Sequence, residues 1–282
     1  MSRDDIWQQL QAIVTADPHI RALGLEGSLS NPISVADERS DIDATVFVDV
    51  MARFSPEWFD QFGPVIIVQS FMDTSLFHES GTAWQVELMR LQNGVRLDLK
   101  IAPVADITEY LASDSLNQLV LNKDGELGRP SSERDFITNE PSETEFNETL
   151  NEFYWQAGNI SKGLKRKQLI YANEMFNQHL RPEMLRVLAW QISRQSDWEI
   201  NLGFEYKYLG AYIALSDLQM LNATYVQDSI SHTHHSLYVA LKLMGRLART
   251  FAGQQNWQLP VFVARVEQEL GVAASETDEN KL

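Results

Sequence analysis

The first half of the chain combines an amphipathic helix with several strand-length apolar segments. The helix is predicted by apolar residues that recur along one helical face: Ile6, Leu10, Ile13 and Val14. Strands are predicted at residues 20–25, 41–50 and 64–71. Because residues 64–71 form an apolar run of strand length, we expect that strand to be buried on both faces of a sheet.

A hairpin is predicted next, at residues 84–101. Asn93-Gly94 supplies the two positive-φ residues of a type I′ turn between strands at residues 84–91 and 95–101. The second strand alternates two sets of side chains: apolar Val95, Leu97, Leu99 and Ile101, and charged Arg96, Asp98 and Lys100. Since successive side chains point to opposite faces of a strand, we expect the apolar set to face the core.

The second half is predicted to be helical almost throughout. Residues 122–141 are rich in Asp, Glu, Gly, Ser and Pro and lack apolar periodicity, as in a linker. Beyond them, helix-spaced patterns cover four segments: residues 143–160, 164–177, 182–193 and 236–252. We therefore expect an α+β protein with a first domain at residues 1–130, a helical domain at residues 131–275 and an acidic tail at residues 276–282.

Composition limits the class of partner. The chain has no cysteine, so any bound cation must use oxygen or imidazole ligands. The formal net charge of −16 disfavours a nucleic-acid surface and favours a cationic partner, although acidity that only promotes solubility explains it equally well. Neither an apolar run of about 18 residues nor a basic-then-apolar leader is visible. These features predict a cytoplasmic protein that binds neither membrane nor nucleic acid.

A Gly-Ser pair and three acidic residues occupy positions that suit nucleotide chemistry. Gly27-Ser28 ends the first strand, Asp41 and Asp43 share one side of the second, and Asp98 lies within the hairpin. Carboxylates two residues apart on a strand offer paired oxygen ligands for hard cations that neutralise a triphosphate. The glycine lets the backbone approach phosphate, and the serine hydroxyl can donate to it. An Asp-x-Asp pair alone is most often a surface strand, so the prediction rests on the combination.

This combination resembles the nucleotidyltransferase superfamily that includes polymerase-beta-like enzymes. The segment GSLSNPISVADERSDIDATVFV at residues 27–48 is also similar to the active-site segment of the aminoglycoside 6-adenylyltransferases, the streptomycin-modifying family. Further similar segments lie in both halves: NGVRLDL (93–99), DSLNQLVLNKDG (114–125), NEFYWQ (151–156), SKGLKRKQLIYA (161–172), RPEMLRVLAWQI (181–192) and KYLGAY (207–212). The resemblance implies a polymerase-beta-like domain with a mixed sheet, followed by a helical bundle.

The resemblance also implies roles for particular residues. Asp41 and Asp43 would hold Mg²⁺, and Asp98 would be a metal ligand or the general base for the acceptor hydroxyl. Lys162 and Arg166 would share a helical face and clamp the triphosphate of ATP, with Gly27 and Ser28 as the other nucleotide-binding residues. From the charge pattern alone, Lys162 and Arg166 are also consistent with a solvated helix face.

The predicted acceptor site lies on the first helix of the second domain. Carboxylates and aromatic ring faces hold ammonium and guanidinium groups. Glu152 and Trp155 lie three residues apart in the NEFYWQ segment and can share a face. The competing interpretation is that the acids of this helix are solvated and its aromatic residues belong to the core.

Two further features bear on this interpretation. The family usually carries arginine directly after Gly-Ser, where this chain has Leu29, and the change removes a cation from the predicted phosphate-binding loop. His232, His234 and His235 are interpreted as a polar loop before the helix at residues 236–252 rather than as metal ligands.

The leading functional prediction is a Mg²⁺-dependent adenylyltransferase. It would move AMP from ATP to a hydroxyl of a cationic small molecule, an aminoglycoside such as streptomycin. Two alternatives stay open: the same chemistry with another small-molecule or macromolecular acceptor, and a non-catalytic nucleotide-binding regulatory protein on the same fold. The intact Asp41, Asp43 and Asp98 argue against the second alternative.

Overall fold

The computed structural model describes residues 1–33, 37–54, 56–73 and 83–271. The chain divides into two units, one spanning Met1–Asp135 and the other beginning at Phe136. This division lies close to the boundary predicted between residues 130 and 131. The acidic tail predicted at residues 276–282 lies outside the described residues.

The first unit is built on a mixed sheet. Its strands within the described ranges are β1 (Ile20–Leu25), β2 (Ile42–Val48), β3 (Val65–Asp73), β4 (Trp84–Leu91), β5 (Arg96–Pro103) and β6 (Gln118–Asn122). Their spatial order is β3-β4-β5-β2-β1-β6. β2 and β5 run parallel, and the other neighbouring pairs run antiparallel. The α-helices of this unit in the described ranges are α1 (Arg3–Ala16), α2 (Gly27–Ser30) and α3 (Ile107–Ser113).

Each face of the sheet carries an apolar cluster. On one face, the apolar stripe of α1 packs against residues of β2 and β5. On the other face, Phe47 of β2 contacts Tyr110 of α3, with ring centroids 5.1 Å apart. The predicted alternation along β5 is confirmed, since the apolar residues of that strand lie in the first cluster and are fully buried: Leu97, Leu99 and Ile101.

Strand β3 is exposed, so the prediction that it is buried on both faces is wrong. It lies at the edge of the sheet beside β4. Ile66 and Ile67 are 66% and 57% exposed, and consecutive side chains point to opposite faces. An apolar run does not distinguish a central strand from an edge strand, because that difference depends on which strands pair beside it.

The hairpin turn also differs from the predicted type I′ turn. The N–H of Gly94 donates to the carbonyl of Leu91 at 2.9 Å, and the N–H of Leu91 donates to the carbonyl of Val95 at 2.9 Å. Gly94 has a φ of 88°, whereas Asn93 is absent from the positive-φ residues of the described chain. This is a three-residue loop in which a type I turn precedes one left-handed glycine.

The second unit is helical, as predicted. Its helices in the described ranges are α4 (Glu143–Lys165), α5 (Leu169–Met175), α6 (Arg181–Arg194), α7 (Leu215–Ala223), α8 (Ile230–Gln255) and α9 (Val261–Glu269). A π-helical turn at Phe176–Leu180 joins α5 to α6. Their apolar faces meet in a cluster that includes Phe146, Trp190 and Phe251. Among the described helices, none has the length and apolar character needed to cross a membrane.

Helix α8 begins earlier than predicted. Ser229 is its N-cap, and the Ser229 hydroxyl accepts a hydrogen bond from the backbone N–H of His232 at 3.1 Å. This cap satisfies one of the free N–H groups of the first turn. The three histidines therefore lie at the start of α8 rather than in a loop, and His232 pairs with Asp228.

Candidate active site

The three predicted carboxylates lie on or directly before two adjacent parallel strands. Asp43 of β2 is the register partner of Asp98 of β5. Asp41 directly precedes β2, and its spacing of two residues from Asp43 places it on the same side of the strand. Neighbouring strands lie roughly 5 Å apart, so the fold brings the Asp43 and Asp98 backbones side by side.

Arg96 connects two of these carboxylates. Its Nη2 and Nε donate to the two oxygens of Asp98 at 2.7 and 2.9 Å, and its Nη1 lies 3.4 Å from Asp41 Oδ2. Among the described residues, no group of three His, Asp or Glu side chains is arranged as a metal site. The carboxylates therefore lie near one another without converging, and the Arg96 guanidinium provides the positive charge between Asp41 and Asp98.

Asp43 is the most perturbed acid of the group. Burial raises its pKa to about 6, and the negative charges of Glu26, Asp98 and Asp41 add to the rise, while Lys100 opposes it. Burial also raises the pKa of Asp41, an effect that Arg96 opposes. Burial is the first cause of both rises and neighbouring negative charges add to them, so a bound cation would favour the ionised carboxylates.

Gly27 lies against the Asp43 carboxylate. Its φ of 60° is in the left-handed region, and a Cβ at this position would overlap Asp43 Oδ2. The N–H of Glu26 also donates to the carbonyl of Asp43 at 2.9 Å. A side chain at position 27 is therefore excluded both by backbone conformation and by contact, which explains why this turn requires glycine.

The other residues of this turn are only partly exposed. Ser28 and Leu29 lie in α2, and both are half-buried. Leu29 packs against the apolar cluster that α1 also contacts. The residue that replaces the family arginine is thus accommodated by core packing at this position.

The sequence interpretation missed a buried network beneath the carboxylates. Glu26 forms an ion pair with Lys100 and accepts a hydrogen bond from the hydroxyl of Thr45. Burial lowers the pKa of Lys100, but Glu26 and then Asp43 and Asp98 more than offset this effect, so the net pKa is raised. Sequence position was the one signal that could have predicted this network. Glu26 directly precedes Gly27, and Lys100 follows Asp98 by two residues on the same strand face.

The predicted acceptor residues and one predicted phosphate ligand belong to α4 in the second unit. A groove of about 440 Å³ between α4 and α9 is lined by Trp155 and Lys162, which are seven residues apart. A neighbouring cavity of about 420 Å³ is lined by Glu152. Arg166 is the C-cap of α4 and is absent from the residues that line either cavity. Lys162 therefore lines the groove, whereas Arg166 lines neither cavity, so the two residues do not share one surface as predicted.

The sequence model of the streptomycin adenylyltransferase family matches residues 1–266. The chain belongs to this family.

The chain is also similar to individual proteins. An aminoglycoside 6-adenylyltransferase of Campylobacter jejuni is 30% identical over 271 residues, which cover 94% of this chain and 93% of that protein. The Bacillus subtilis protein of the same name is 27% identical, covering 86% and 88%. A crystal structure of an aminoglycoside 6-adenyltransferase from Bacillus subtilis matches 96% of this chain and 98% of that chain, with 23% identity and a TM-score of 0.48.

Membership of the streptomycin adenylyltransferase family confirms three predictions. The chain is a nucleotidyltransferase, it belongs to the family that its motifs resemble, and its α+β architecture has a mixed sheet followed by helices. The roles of the individual site residues stay predictions.

One further acid of this adenylyltransferase was missed. Glu183 of α6 is mostly buried, with 12% of its side chain exposed, and Arg186 Nη1 lies 2.9 Å from its Oε2. Burial raises the pKa of Glu183, Arg186 opposes the rise, and Glu152 adds to it. Glu183 therefore lies close enough to the predicted acceptor residue Glu152 for the Glu152 charge to raise its pKa. The only sequence signal was its position in the RPEMLRVLAWQI segment.

Proposed function

We propose that this enzyme transfers AMP from ATP to a hydroxyl of an aminoglycoside such as streptomycin, with Mg²⁺ as its cofactor. The observation that carries the proposal is the register of Asp43 with Asp98 on parallel strands, beside the Gly27 turn. The relatives' name, aminoglycoside 6-adenylyltransferase, supports the acceptor class.

The donor chemistry of the carboxylate group fits magnesium. Asp41, Asp43 and Asp98 offer only oxygen ligands, which Mg²⁺ prefers. The pKa of Asp43 is raised first by burial and then by negative neighbours whose charge a cation would neutralise, and Arg96 already places positive charge beside Asp41 and Asp98. When bound, Mg²⁺ would supply electrostatic stabilisation of the triphosphate and of the departing pyrophosphate. We propose these three residues as its ligands, with Asp98 either a ligand or the general base.

The remaining predicted residues are assigned to binding the nucleotide or the acceptor. Gly27 would allow the backbone to approach the phosphates, and Ser28 would donate a hydrogen bond to them. Lys162 and Arg166 would pair with the triphosphate. Glu152 and Trp155 would bind the cationic acceptor, and the position of Glu152 in a polar cavity supports this role.

Mass spectrometry tests the proposed reaction directly. The enzyme is incubated with ATP, Mg²⁺ and a panel of aminoglycosides that includes streptomycin, and each product is examined for an added adenylyl group. A parallel incubation in excess EDTA tests the metal requirement. We expect one or more adenylylated products in Mg²⁺ and none in EDTA. No adenylylated product from any panel member would refute the acceptor class, and equal yield in EDTA would refute the metal site.

A further inference from the structure

The groove between α4 and α9 is formed by one regular stripe of α4. Its α4 side includes residues spaced by three or four positions, which is the spacing of a single helical face: Asn151, Trp155, Gly158, Asn159 and Lys162. Phe262, Val266 and Glu269 of α9 form the opposite wall. Trp155 and Lys162 are about 10 Å apart along the helix axis, since each residue adds roughly 1.5 Å.

Gly158 is the most informative residue of this stripe. A glycine inside a helix is destabilising relative to alanine, so it is usually explained by a close neighbour. Gly163 of the same helix has such a neighbour, because a Cβ there would lie 2.8 Å from the Tyr171 ring. At Gly158, in contrast, nothing lies within 4 Å of the Cβ position. The packing of the described residues therefore leaves this position open to a ligand that approaches the helix backbone.

Trp155 supports a ligand at the same place. It is 68% exposed, whereas the core residues Trp84 and Trp190 are 1% and 3% exposed. Its ring lines the groove one helical turn before Gly158. An exposed tryptophan face is a favourable surface for ammonium and guanidinium groups and for the flat face of a ring.

The polar residues of the groove suit a ligand that is rich in hydroxyl groups and positively charged. The groove shares Asn151 and Phe262 with the neighbouring cavity, which adds Glu148 and Glu152 to the lining. With Glu269, the lining residues of the two cavities contribute three carboxylates against the single cation of Lys162.

Hydrogen bonds along α4 orient two of these polar groups. Asn159 Nδ2 donates to Gln156 Oε1 at 3.0 Å, and Gln156 Nε2 donates to Glu152 Oε1 at 2.6 Å. The amide of Asn159 and the carboxylate of Glu152 are therefore held by the same intermediate residue. Preorganised side chains of this kind lower the entropy cost of binding a polar ligand.

We propose that this groove, which also carries the proposed triphosphate ligand Lys162, contains the acceptor subsite, and that this subsite takes the cationic sugar rings of an aminoglycoside. A ring stacks on Trp155 and approaches the backbone at Gly158, while Glu152 and Glu269 pair with its ammonium or guanidinium groups. The assignment rests on the proposed function and extends it to residues that the sequence did not indicate, namely Asn151, Gly158, Asn159 and Glu269.

Two matched glycine substitutions test the groove. Gly158→Leu places a side chain in the groove, and nothing lies within 4 Å of its Cβ position. Gly253→Leu is the control, because Gly253 also lies inside a helix, α8, and also has nothing within 4 Å of its Cβ position. Steady-state KM values for streptomycin and for ATP are measured in excess Mg²⁺, together with Tm. We expect Gly158→Leu to raise the streptomycin KM by at least about tenfold with the ATP KM within about twofold. Gly253→Leu should change neither, and both variants should keep the parent Tm, since leucine is a better helix former.

A second substitution keeps the test decisive if Gly158→Leu folds poorly. Trp155→Ala removes an exposed ring, so it should leave Tm unchanged and raise the streptomycin KM by a similar factor. A parent-like streptomycin KM in a folded groove variant would overturn the acceptor subsite, and a raised ATP KM alone would show that the groove holds the nucleotide instead. Failure of the parent enzyme to adenylylate any aminoglycoside is a separate result, because it overturns the proposed function itself.

Discussion

Replacing Asp98 by asparagine separates a catalytic role from a structural one. Asp98 is mostly buried, with 11% of its side chain exposed, and its partner Arg96 is 46% exposed. Asp98→Asn keeps the shape of the side chain but removes its negative charge and its ability to accept a proton. If Asp98 is a metal ligand or general base, activity should fall while stability is nearly kept.

The structure sets the expected magnitudes. Because Arg96 is half-exposed, the lost ion pair should cost about 1 kcal/mol or less. Removing the charge also relieves repulsion, since Asp98 contributes to the raised pKa of both Asp41 and Asp43. The net change in Tm should therefore stay within about 4 °C. Loss of a general base typically lowers the rate about 100-fold to 10,000-fold, so we expect single-turnover AMP transfer to fall by at least 100-fold.

Asp124→Asn provides an ion-pair control for the Asp98 variant at a more exposed position, since the Asp124 side chain is 49% exposed. Asp124 also pairs with an arginine of the sheet, since Arg21 Nε donates to Asp124 Oδ2 at 2.7 Å, and it lies outside the carboxylate group. Tm and single-turnover transfer are measured on the same preparation of each variant. If Asp98→Asn unfolds well below Asp124→Asn and yet transfers AMP at nearly the parent rate per folded molecule, Asp98 is a structural residue and the reasoning fails.

Two other predictions concern nucleotide affinity and pH. Leu29→Arg should strengthen ATP binding severalfold in calorimetric titration, because it restores a cation near the phosphates while its aliphatic stem keeps part of the apolar contact. Unchanged or weaker ATP affinity in a folded variant would show that position 29 does not face the phosphates. For Asp43, the folded pKa of about 6 lies above the ordinary 3.8, so the folded state binds the proton more tightly. Its stabilising contribution is therefore complete below pH 3.8 and is lost as pH rises through 6. In metal-free buffer, Asp43→Asn should flatten the decline in Tm of the enzyme between pH 4 and pH 7, and an unchanged decline would contradict the raised pKa.

Local patterns in the sequence determined much of the secondary structure and the family. The strand predicted at residues 20–25 agrees with Ile20–Leu25, and the first helix of the second unit begins at residue 143 as predicted. These features follow from side-chain periodicity and short-range caps, which a linear sequence carries directly. The motifs around Gly27, Asp41 and Asp43 resembled the family whose model matches residues 1–266.

Tertiary structure decided the features that depend on residues far apart in the chain. The exposure of β3 follows from its position at the edge of the sheet, and the pairing of Asp43 with Asp98 follows from the parallel register of β2 and β5. Glu26 and Lys100 form an ion pair although 74 positions separate them. The groove that Gly158 lines exists only because α9 packs beside α4. Burial, register and charge proximity are properties of pairs of elements, so no local pattern of residues specifies them.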